Sequence, residues 1–198
     1  MPNHWFQTFT GKQVDLENPT PDIIDIVDIA HALSMICRYN GHCRDFYSVA
    51  EHSANVEKLA YFSGVSTSAQ DWDRRAMAFL LHDAPEAYLQ DIMTPLKRLL
   101  FPKYEELETR WQIAIETKFD LGNLLTNPEP LVKDCDRRAL SVEVVNLFSP
   151  PIPDWWKHFG EPTQVDLHDM PVECLSPTQA RLRFLGRFRQ LQRGLIRS

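Results

Sequence analysis

Leu81-His82-Asp83-Ala84-Pro85-Glu86 closes a strongly apolar run over residues 76–81, and Asp91 follows five residues later. An ionised carboxylate pushed against an apolar core is costly unless a cation, a hydrogen-bond donor or a metal ion meets it. The pair His82-Asp83 therefore predicts a polar partner or a cation at the end of this run.

Two other segments supply candidate partners for that pair. His52 lies in Val49-Ala50-Glu51-His52-Ser53, and Asp136 lies in Val132-Lys133-Asp134-Cys135-Asp136. Two imidazoles and two carboxylates are a mixed donor set that suits a divalent first-row metal and often leaves positions open for water or substrate. Each residue taken singly is more often a hydrogen-bonded core residue, but the four together favour a shared cation.

Apolar residues recur at intervals of three and four, which predicts an all-α fold of about six or seven helices. One helix begins near Asp25. The next has Ser48 as N-cap, with Glu51 completing a capping box. A third begins at Asp71 or Asp73, carries Asp83 on its apolar stripe and ends near Pro85. Later helices follow Thr94-Pro95, carry Leu107, Trp111, Ile115 and Phe119, and run from about Leu131 to Phe148 with Asp136 facing inward.

The chain divides into four parts that together predict one domain. Residues 1–24 form an extended lead-in with a short hairpin, residues 25–148 form the helical core, and residues 149–177 form an irregular segment rich in Pro and Trp. A last helix over 178–196 has Leu182, Leu185, Phe188 and Leu195 as its apolar side. His168-Asp169 lies off any helix, so we expect it to have a structural or solvent role.

Composition and sequence pattern argue against several functions. The chain has 198 residues, 43% hydrophobic and 24% charged, with a net charge of −6, so a role in binding nucleic-acid polymers gains no support. No apolar run approaches the roughly 18 residues of a membrane span. The start of the chain lacks a secretory pattern, and the four cysteines show no CxxC spacing, which predicts a cytoplasmic protein with reduced thiols.

Other charged residues flank the candidate ligands. Glu86 and Asp91 follow the central pair, and carboxylates near an activated water can orient it or exchange its proton; helix capping is the alternative. Arg38, Lys97 and Lys133 suggest a phosphate-bearing substrate because such cations neutralise phosphoryl oxygens, although each would also be ordinary as a solvated surface charge.

The ordered series of segments resembles the HD-domain metal-dependent phosphohydrolases, which share a first His, a His-Asp pair and a distal Asp. It is most similar to their 5′-deoxynucleotidase branch, which includes phage dATP triphosphohydrolases. The segments that carry the resemblance lie within residues 25–148 and are Ser48–Ser53, His82–Glu86, Asp91–Lys97 and Val132–Asp136.

The resemblance implies an all-helical HD fold that holds one divalent ion of cobalt, manganese, magnesium or zinc. It implies a homo-oligomer, a dimer or hexamer, that takes a deoxynucleotide as substrate. The implied roles are metal binding for His52, His82, Asp83 and Asp136, water activation for Glu86, support near the sugar for Asp91, phosphate binding for Arg38, Lys97 and Lys133, and a sugar or base contact for Tyr39.

Three functions are compatible with this sequence. A triphosphohydrolase acting on a dNTP such as dATP is the first expectation, because three cations could line a channel for three phosphates. A 5′-deoxynucleotidase acting on dNMPs is the alternative. The third is a non-catalytic module that binds nucleotide; Glu86 argues against it, since a pure binder has little need of a water-orienting carboxylate.

Overall fold

The computed structural model of the chain describes residues 4–63, 69–149, 152 and 154–197. Within them the regular secondary structure is helical apart from one small sheet, which confirms the expected all-α class, with ten α-helices where six or seven were predicted. A two-stranded sheet precedes the helices, β1 (Trp5–Gln7) and β2 (Gln13–Asp15). The helices are α1 (Ile26–Met35), α2 (Val49–Phe62), α3 (Ala69–Leu80), α4 (Glu86–Leu89), α5 (Thr94–Leu99), α6 (Lys103–Phe119), α7 (Pro130–Leu147), α8 (Asp154–Phe159), α9 (Gln164–Asp169) and α10 (Pro177–Arg197).

The predicted hairpin in the lead-in is confirmed. β1 and β2 are antiparallel, with Phe6 paired to Val14, and Gly11 takes a left-handed φ of 89° in the connection. Val14 is fully buried, and the indole of Trp111 on α6 donates to the carbonyl of Leu16 over 3.1 Å. The lead-in is therefore tied to the helical core by both apolar and polar contacts.

Helix α2 lies between two apolar clusters and packs against several other helices. One cluster joins it to α1, α3 and α10, with Leu33, Leu80 and Phe184 fully buried. The other joins it to α7 through Val56 and Val142. Both flanks of α2 are therefore fixed by close packing, which holds its side chains in defined rotamers.

The first turn of α2 departs from the expected capping box. Ser48 is the N-cap and accepts from the backbone N–H of Glu51 over 3.2 Å, as predicted. The carboxylate of Glu51, however, accepts from the backbone N–H groups of residues 173–175 over 2.7–3.1 Å. Half of the predicted box is thus wrong, because a distant loop supplies three donors where the box offers one.

His82 and Asp83 lie outside the helix on which the sequence placed them. α3 begins at Ala69 instead of Asp71 or Asp73 and ends at Leu80, and residues 81–85 form a turn that leads into α4. Pro85 has no N–H to donate and disfavours helical backbone at the residue before it. Asp83 is therefore displaced from the apolar stripe of α3 into a tight connection.

The segment 149–177 is less irregular than predicted. It contains α8 and α9, and α9 begins with a complete capping box in which Thr163 and Asp166 exchange hydrogen bonds. His168 lies in the last turn of α9 and is exposed, so its predicted placement off any helix is wrong, and the structural or solvent role expected for His168-Asp169 stays a prediction. Pro150, Pro151 and Pro153, which contributed to the prediction, lie outside the described residues.

Two smaller details of the helices also differ from the predictions. Leu182, predicted on the apolar side of the last helix, is 60% exposed, and Phe184 is fully buried instead. The N-cap of α5 is Met93, whereas Thr94, expected as the N-cap, is the first helical residue.

No helix in the described part of the chain combines the length and the apolar character that crossing a bilayer requires.

Candidate metal centre

Side chains from α2, α7 and the turn after α3 meet at one point. Nε2 of His52 lies 3.4 Å from Oδ2 of Asp83 and 3.2 Å from Oδ1 of Asp136. Nε2 of His82 lies 3.2 Å from Oδ2 of Asp83. One ligand atom each from His52, His82 and Asp83 lie within 4.8 Å of one another. The structure thus brings together all four residues that the sequence singled out as metal ligands.

The second ring nitrogen of each histidine is already engaged. Nδ1 of His82 lies 2.8 Å from the carbonyl oxygen of Phe79, which can only accept, so His82 carries its proton on Nδ1. Nδ1 of His52 lies 2.6 Å from Oε1 of Glu143. Carboxylate and carbonyl partners of this kind fix metal-binding histidines with the other nitrogen aimed at the ion.

The electrostatics of Glu143 support the same tautomer for His52. Burial raises the pKa of Glu143, but Arg38 and His52 outweigh it and bring the pKa down to about 2. The carboxylate is therefore ionised and acts only as an acceptor. His52 donates from Nδ1, which directs its Nε2 towards Asp83 and Asp136.

The four side chains fit a divalent cation. Nε2 of His52 and Nε2 of His82 are buried and have no hydrogen-bond partner among the described residues. Ligand atoms that share one first-row metal at about 2.1 Å lie about 3.0–3.4 Å apart, which matches the separations of 3.2 and 3.4 Å seen here. Two imidazole nitrogens and two carboxylate oxygens are also the donor types that such ions accept.

A positive charge is what this arrangement requires, and a proton is the alternative to a metal. Burial and the charge of Arg38 lower the pKa of His52, yet Glu143 and Asp136 outweigh them and raise it to about 10. Burial raises the pKa of Asp83, but His82 and His52 hold it well below its ordinary value. Either a protonated His52 or a bound divalent ion would reduce the repulsion between the carboxylates of Asp83 and Asp136.

Asp136 differs from its expected environment. The sequence placed it facing inward, but its side chain is 48% exposed, whereas that of His52 is fully buried. Asp136 therefore lies at the solvent side of the cluster. An ion bound beside it would be reachable by a small molecule from that side.

Glu86 is the first residue of α4, three residues after Asp83. Its side chain is buried, its Oε2 has no hydrogen-bond partner among the residues described, and its Oε1 is 3.6 Å from Nζ of Lys97. Burial and the charges of Asp83 and Asp91 raise its pKa well above the ordinary value. Lys97 also pairs with Glu108 over 2.9 Å, so this predicted phosphate ligand is engaged with two carboxylates.

Arg38 and Tyr39 approach the cluster from the loop between α1 and α2. Arg38 is buried, 3.2 Å from Glu143 and 3.6 Å from Asp83, and the Tyr39 hydroxyl donates to Glu143 over 2.5 Å. Tyr39 and Asn40 have left-handed φ values of 57° and 52°, which cost L-residues roughly 1–2 kcal/mol each. Arg38 and Tyr39 thus both contact Glu143 from this turn, and their contact with substrate stays a prediction.

Asp91 joins the cluster to a cavity. It lines a cavity of about 510 Å³ together with Cys37, Asn40 and Leu96. Burial raises the pKa of Asp91, the charge of Asp83 adds to this effect, and Arg38 opposes it, so the carboxylate is within electrostatic reach of the candidate ligands. Lys133 is exposed in the first turns of α7. Among the three predicted phosphate-binding cations, Lys133 is exposed, Lys97 is half-buried and Arg38 is buried.

Glu143 is the functional candidate that the sequence did not single out. It is fully buried on α7, seven residues after Asp136, and therefore about two turns along the same face. The sequence did contain one signal for this residue: its spacing from Asp136 places a second carboxylate on the same apolar stripe of the helix. Its contact with His52 spans 91 residues of sequence, which periodicity within one helix cannot supply.

Known proteins resemble the chain along nearly its whole length, although no protein-family model matches it. An uncharacterised protein of Rhodobacter capsulatus is 35% identical over 200 residues, which span 98% of this chain and 99% of that protein. The uncharacterised protein YfdR of Escherichia coli K12 is 35% identical over 187 residues, which span 94% of this chain and 95% of YfdR. The chain belongs to the YfdR family. The assignment of the YfdR family to the HD-domain proteins stays a prediction.

Proposed function

We propose that the chain is a metal-dependent phosphohydrolase that cleaves the 5′-phosphoester of deoxynucleotides. The observation that carries the proposal is the meeting of His52, His82, Asp83 and Asp136 with two buried Nε2 atoms that have no hydrogen-bond partner among the described residues. A divalent ion held there would supply Lewis-acid chemistry, lowering the pKa of water and neutralising phosphoryl charge.

The charge of the surroundings explains why phosphate would not bind there without a cation. Two cations of the site, Arg38 and Lys97, are already paired with carboxylates. The acidic residues around them outnumber them and are Asp83, Glu86, Asp91, Asp136 and Glu143. An anionic phosphoryl group is repelled by such a cluster, and it becomes a favourable ligand only when a divalent ion reverses the local charge.

Glu86 is the residue that we propose to handle the proton. Its Oε2 is buried without a hydrogen-bond partner among the described residues, so it is free to accept from water. Nζ of Lys97 forms an ion pair with the other oxygen of Glu86 over 3.6 Å. Glu86 would take the proton of the attacking water and return it to the leaving oxygen, a role typical of a positioned carboxyl group.

The cavity beside Asp91 is the proposed place for the nucleoside. Its volume of about 510 Å³ lies in the usual range for small-molecule sites. Apolar side chains such as Leu96 line it beside the polar Asn40 and Asp91, so it offers both a surface for a base and an acceptor for a sugar hydroxyl. Tyr39 lies next to Asn40 in the chain and would border the sugar.

The ion pairs favour a monophosphate over the triphosphate that the sequence suggested first. Arg38 and Lys97 each contact two carboxylates, which leaves little uncommitted positive charge for a chain of three phosphates. Lys133 is exposed and would be the remaining predicted cation for a longer phosphate chain. A 5′-deoxynucleotidase is therefore the first candidate, and a dNTP triphosphohydrolase of the dATP type is the second.

One assay separates these candidates. The protein is stripped of metal, reloaded with cobalt, manganese, magnesium or zinc, and offered dNMPs, dNTPs and the matching ribonucleotides. Release of phosphate from dNMPs supports the first candidate, and release of triphosphate from dNTPs supports the second. Metal and nucleotide binding without any product would favour the non-catalytic module.

Glu86→Gln tests the mechanism, with Glu108→Gln as the matched control because both carboxylates pair with Lys97. We expect Glu86→Gln to bind metal normally and to lose about 10²–10⁴ in kcat. Glu108→Gln should retain most of the activity. Equal activity of Glu86→Gln and the unmodified protein would remove Glu86 from the mechanism.

A further inference from the structure

Two thiols face each other in the loop between α1 and α2. Sγ of Cys37 lies 3.7 Å from Sγ of Cys43, and both side chains are partly exposed. A disulfide places its sulfur atoms about 2.05 Å apart, so a shift of less than about 2 Å would join them. The sulfur atoms are therefore close enough to react after a small adjustment of the loop.

We propose that Cys37 and Cys43 form a reversible dithiol–disulfide pair that is oxidised by small-molecule disulfides such as glutathione disulfide. This inference rests on the geometry of the loop and does not depend on the proposed function. It assigns a modification site to a segment that also carries Arg38 and Tyr39.

The reaction balances as two successive thiol–disulfide exchanges. The Cys37 thiolate attacks one sulfur of glutathione disulfide, forms a mixed disulfide and expels one glutathione thiolate. The Cys43 thiolate then attacks Sγ of Cys37 and expels the second glutathione. The two protons lost by the cysteines end on the two glutathione thiols, and the two electrons lost by the cysteine sulfurs reduce the glutathione disulfide.

The surroundings of Cys43 explain this order. Burial and the adjacent Cys37 thiol raise the pKa of Cys43 to about 11, which makes Cys43 a poor first nucleophile at neutral pH. Once Cys37 is held in a mixed disulfide, its thiol no longer contributes to that rise. Cys43 then lies close to the sulfur that it must attack.

The bond would close a loop that reaches the candidate metal centre. Residues 38–42 lie between the two cysteines, and Tyr39, Asn40 and Gly41 all have left-handed φ values. Arg38 is bound to Asp83 and Glu143 on one side, and its backbone N–H donates to Tyr47 over 2.9 Å on the other. A disulfide between Cys37 and Cys43 would remove conformational freedom from this turn.

The other cysteines offer different degrees of competition. Cys135 is buried on α7. Cys174 is partly exposed, and its pKa is raised by burial and by the charge of Glu51, with a further contribution from Cys37. Cys37 and Cys174 are therefore within electrostatic range of each other. The test must therefore separate a bond between Cys37 and Cys43 from one that includes Cys174.

The experiment incubates the full chain with glutathione disulfide, counts free thiols after denaturation and maps the bonds by peptide mass spectrometry. We expect two of the four thiols to disappear, a mass lower by two hydrogen atoms, a single peptide link between Cys37 and Cys43, and full reversal by dithiothreitol. Cys174→Ser should behave like the unmodified chain, and Cys43→Ser should stop at a mixed disulfide on Cys37.

Hydrogen exchange supplies a second readout that does not depend on any variant folding. Amides of residues 38–44 should exchange at least about tenfold more slowly in the oxidised chain. The proposal is overturned by four free thiols after oxidation, by a bond that includes Cys174, by a mixed disulfide that persists in the unmodified chain, or by unchanged exchange in this segment.

Discussion

Oε1 of Glu143 on α7 lies 2.6 Å from Nδ1 of His52 on α2, and both side chains are fully buried. The contact fixes which nitrogen of His52 carries the proton and points the other at Asp83 and Asp136. Glu143 also accepts hydrogen bonds from Arg38 and Tyr39. The Glu143 carboxylate thus orients the candidate ligand His52 and also holds Arg38 and Tyr39.

Replacing Glu143 by Gln should weaken metal binding without removing any candidate ligand. The amide can no longer accept as an anion from His52, so we expect a loss of about 10–100-fold in metal affinity, measured by calorimetry with the metal-free protein. Glu116→Gln is the matched control, because Glu116 is a buried carboxylate on α6 that holds the backbone N–H groups of Leu125 and Thr126. Unchanged affinity in Glu143→Gln would contradict the orienting role.

Asp136→Ala should strip the ion from the purified protein. The exposed carboxylate lies 3.2 Å from Nε2 of His52, and its loss removes one of four donors from the solvent side. The metal content, measured by mass spectrometry of the elements, should fall to the level of a chelated sample. Asp134→Ala is the control on the same helix, since Asp134 pairs with Arg137 at the surface; equal metal loss in both variants would argue against a specific ligand.

Asp166 should make the stability of the chain depend on pH in the acid range. Burial raises its pKa, but hydrogen bonds from Thr163 and Arg138 outweigh burial and hold the pKa below its ordinary value of 3.8. The contribution is therefore complete above the unfolded pKa and is lost as the pH falls through the lower folded pKa. Asp166→Asn should lower the free energy of unfolding by about 2 kcal/mol at neutral pH.

Urea titrations at several pH values check this expectation. The difference between Asp166→Asn and the unmodified chain should shrink below about pH 4, where the unfolded carboxyl protonates. Asp169→Asn on the same helix serves as the control and should show a small difference at every pH. A difference for Asp166→Asn that grows on acidification would have the opposite sign and would refute the assignment.

Glu51→Ala should destabilise the contact between α2 and residues 173–175. Three backbone N–H groups lose their acceptor at once, and unpaired donors cost about 1–3 kcal/mol each when they stay out of water, so we expect a loss of about 3 kcal/mol in the free energy of unfolding. Ser48→Ala, which removes only the N-cap acceptor, should cost about 1 kcal/mol. Equal losses in the two variants would show that the backbone donors find other partners.

The sequence predicted the helices that carry ligands better than it predicted the connection between them. The apolar faces of α2 and α7 repeat over three or more turns, so the positions of His52 and Asp136 followed from periodicity. His82-Asp83 was assigned to a helix because Pro85 marks only an approximate end, and the last turn before a proline can unwind earlier. The pairing of the four residues was still predicted, because their chemistry required a partner.

Contacts between distant parts of the chain were beyond the reach of pattern reasoning. Glu51 matched a capping box by spacing, but donors that lie more than 120 residues later captured its carboxylate. Leu182 was placed on the apolar side by its type, whereas the packing of α10 against α3 turns Phe184 inward. Helical periodicity gives a face, and only the neighbouring helix decides where that face begins and ends.

The hydrogen bonds between Glu51 and the backbone of residues 173–175 limit how far the protein can be shortened. A fragment of residues 25–148 would contain every proposed ligand, yet Glu51, one residue before His52, would be a buried carboxylate stripped of its donors. The same fragment would lack α10, whose Phe184 and Phe188 fill the space beside α1 and α3. The last quarter of the polypeptide therefore supplies contacts that the ligand-bearing helices need, and we expect these helices not to assemble once it is removed.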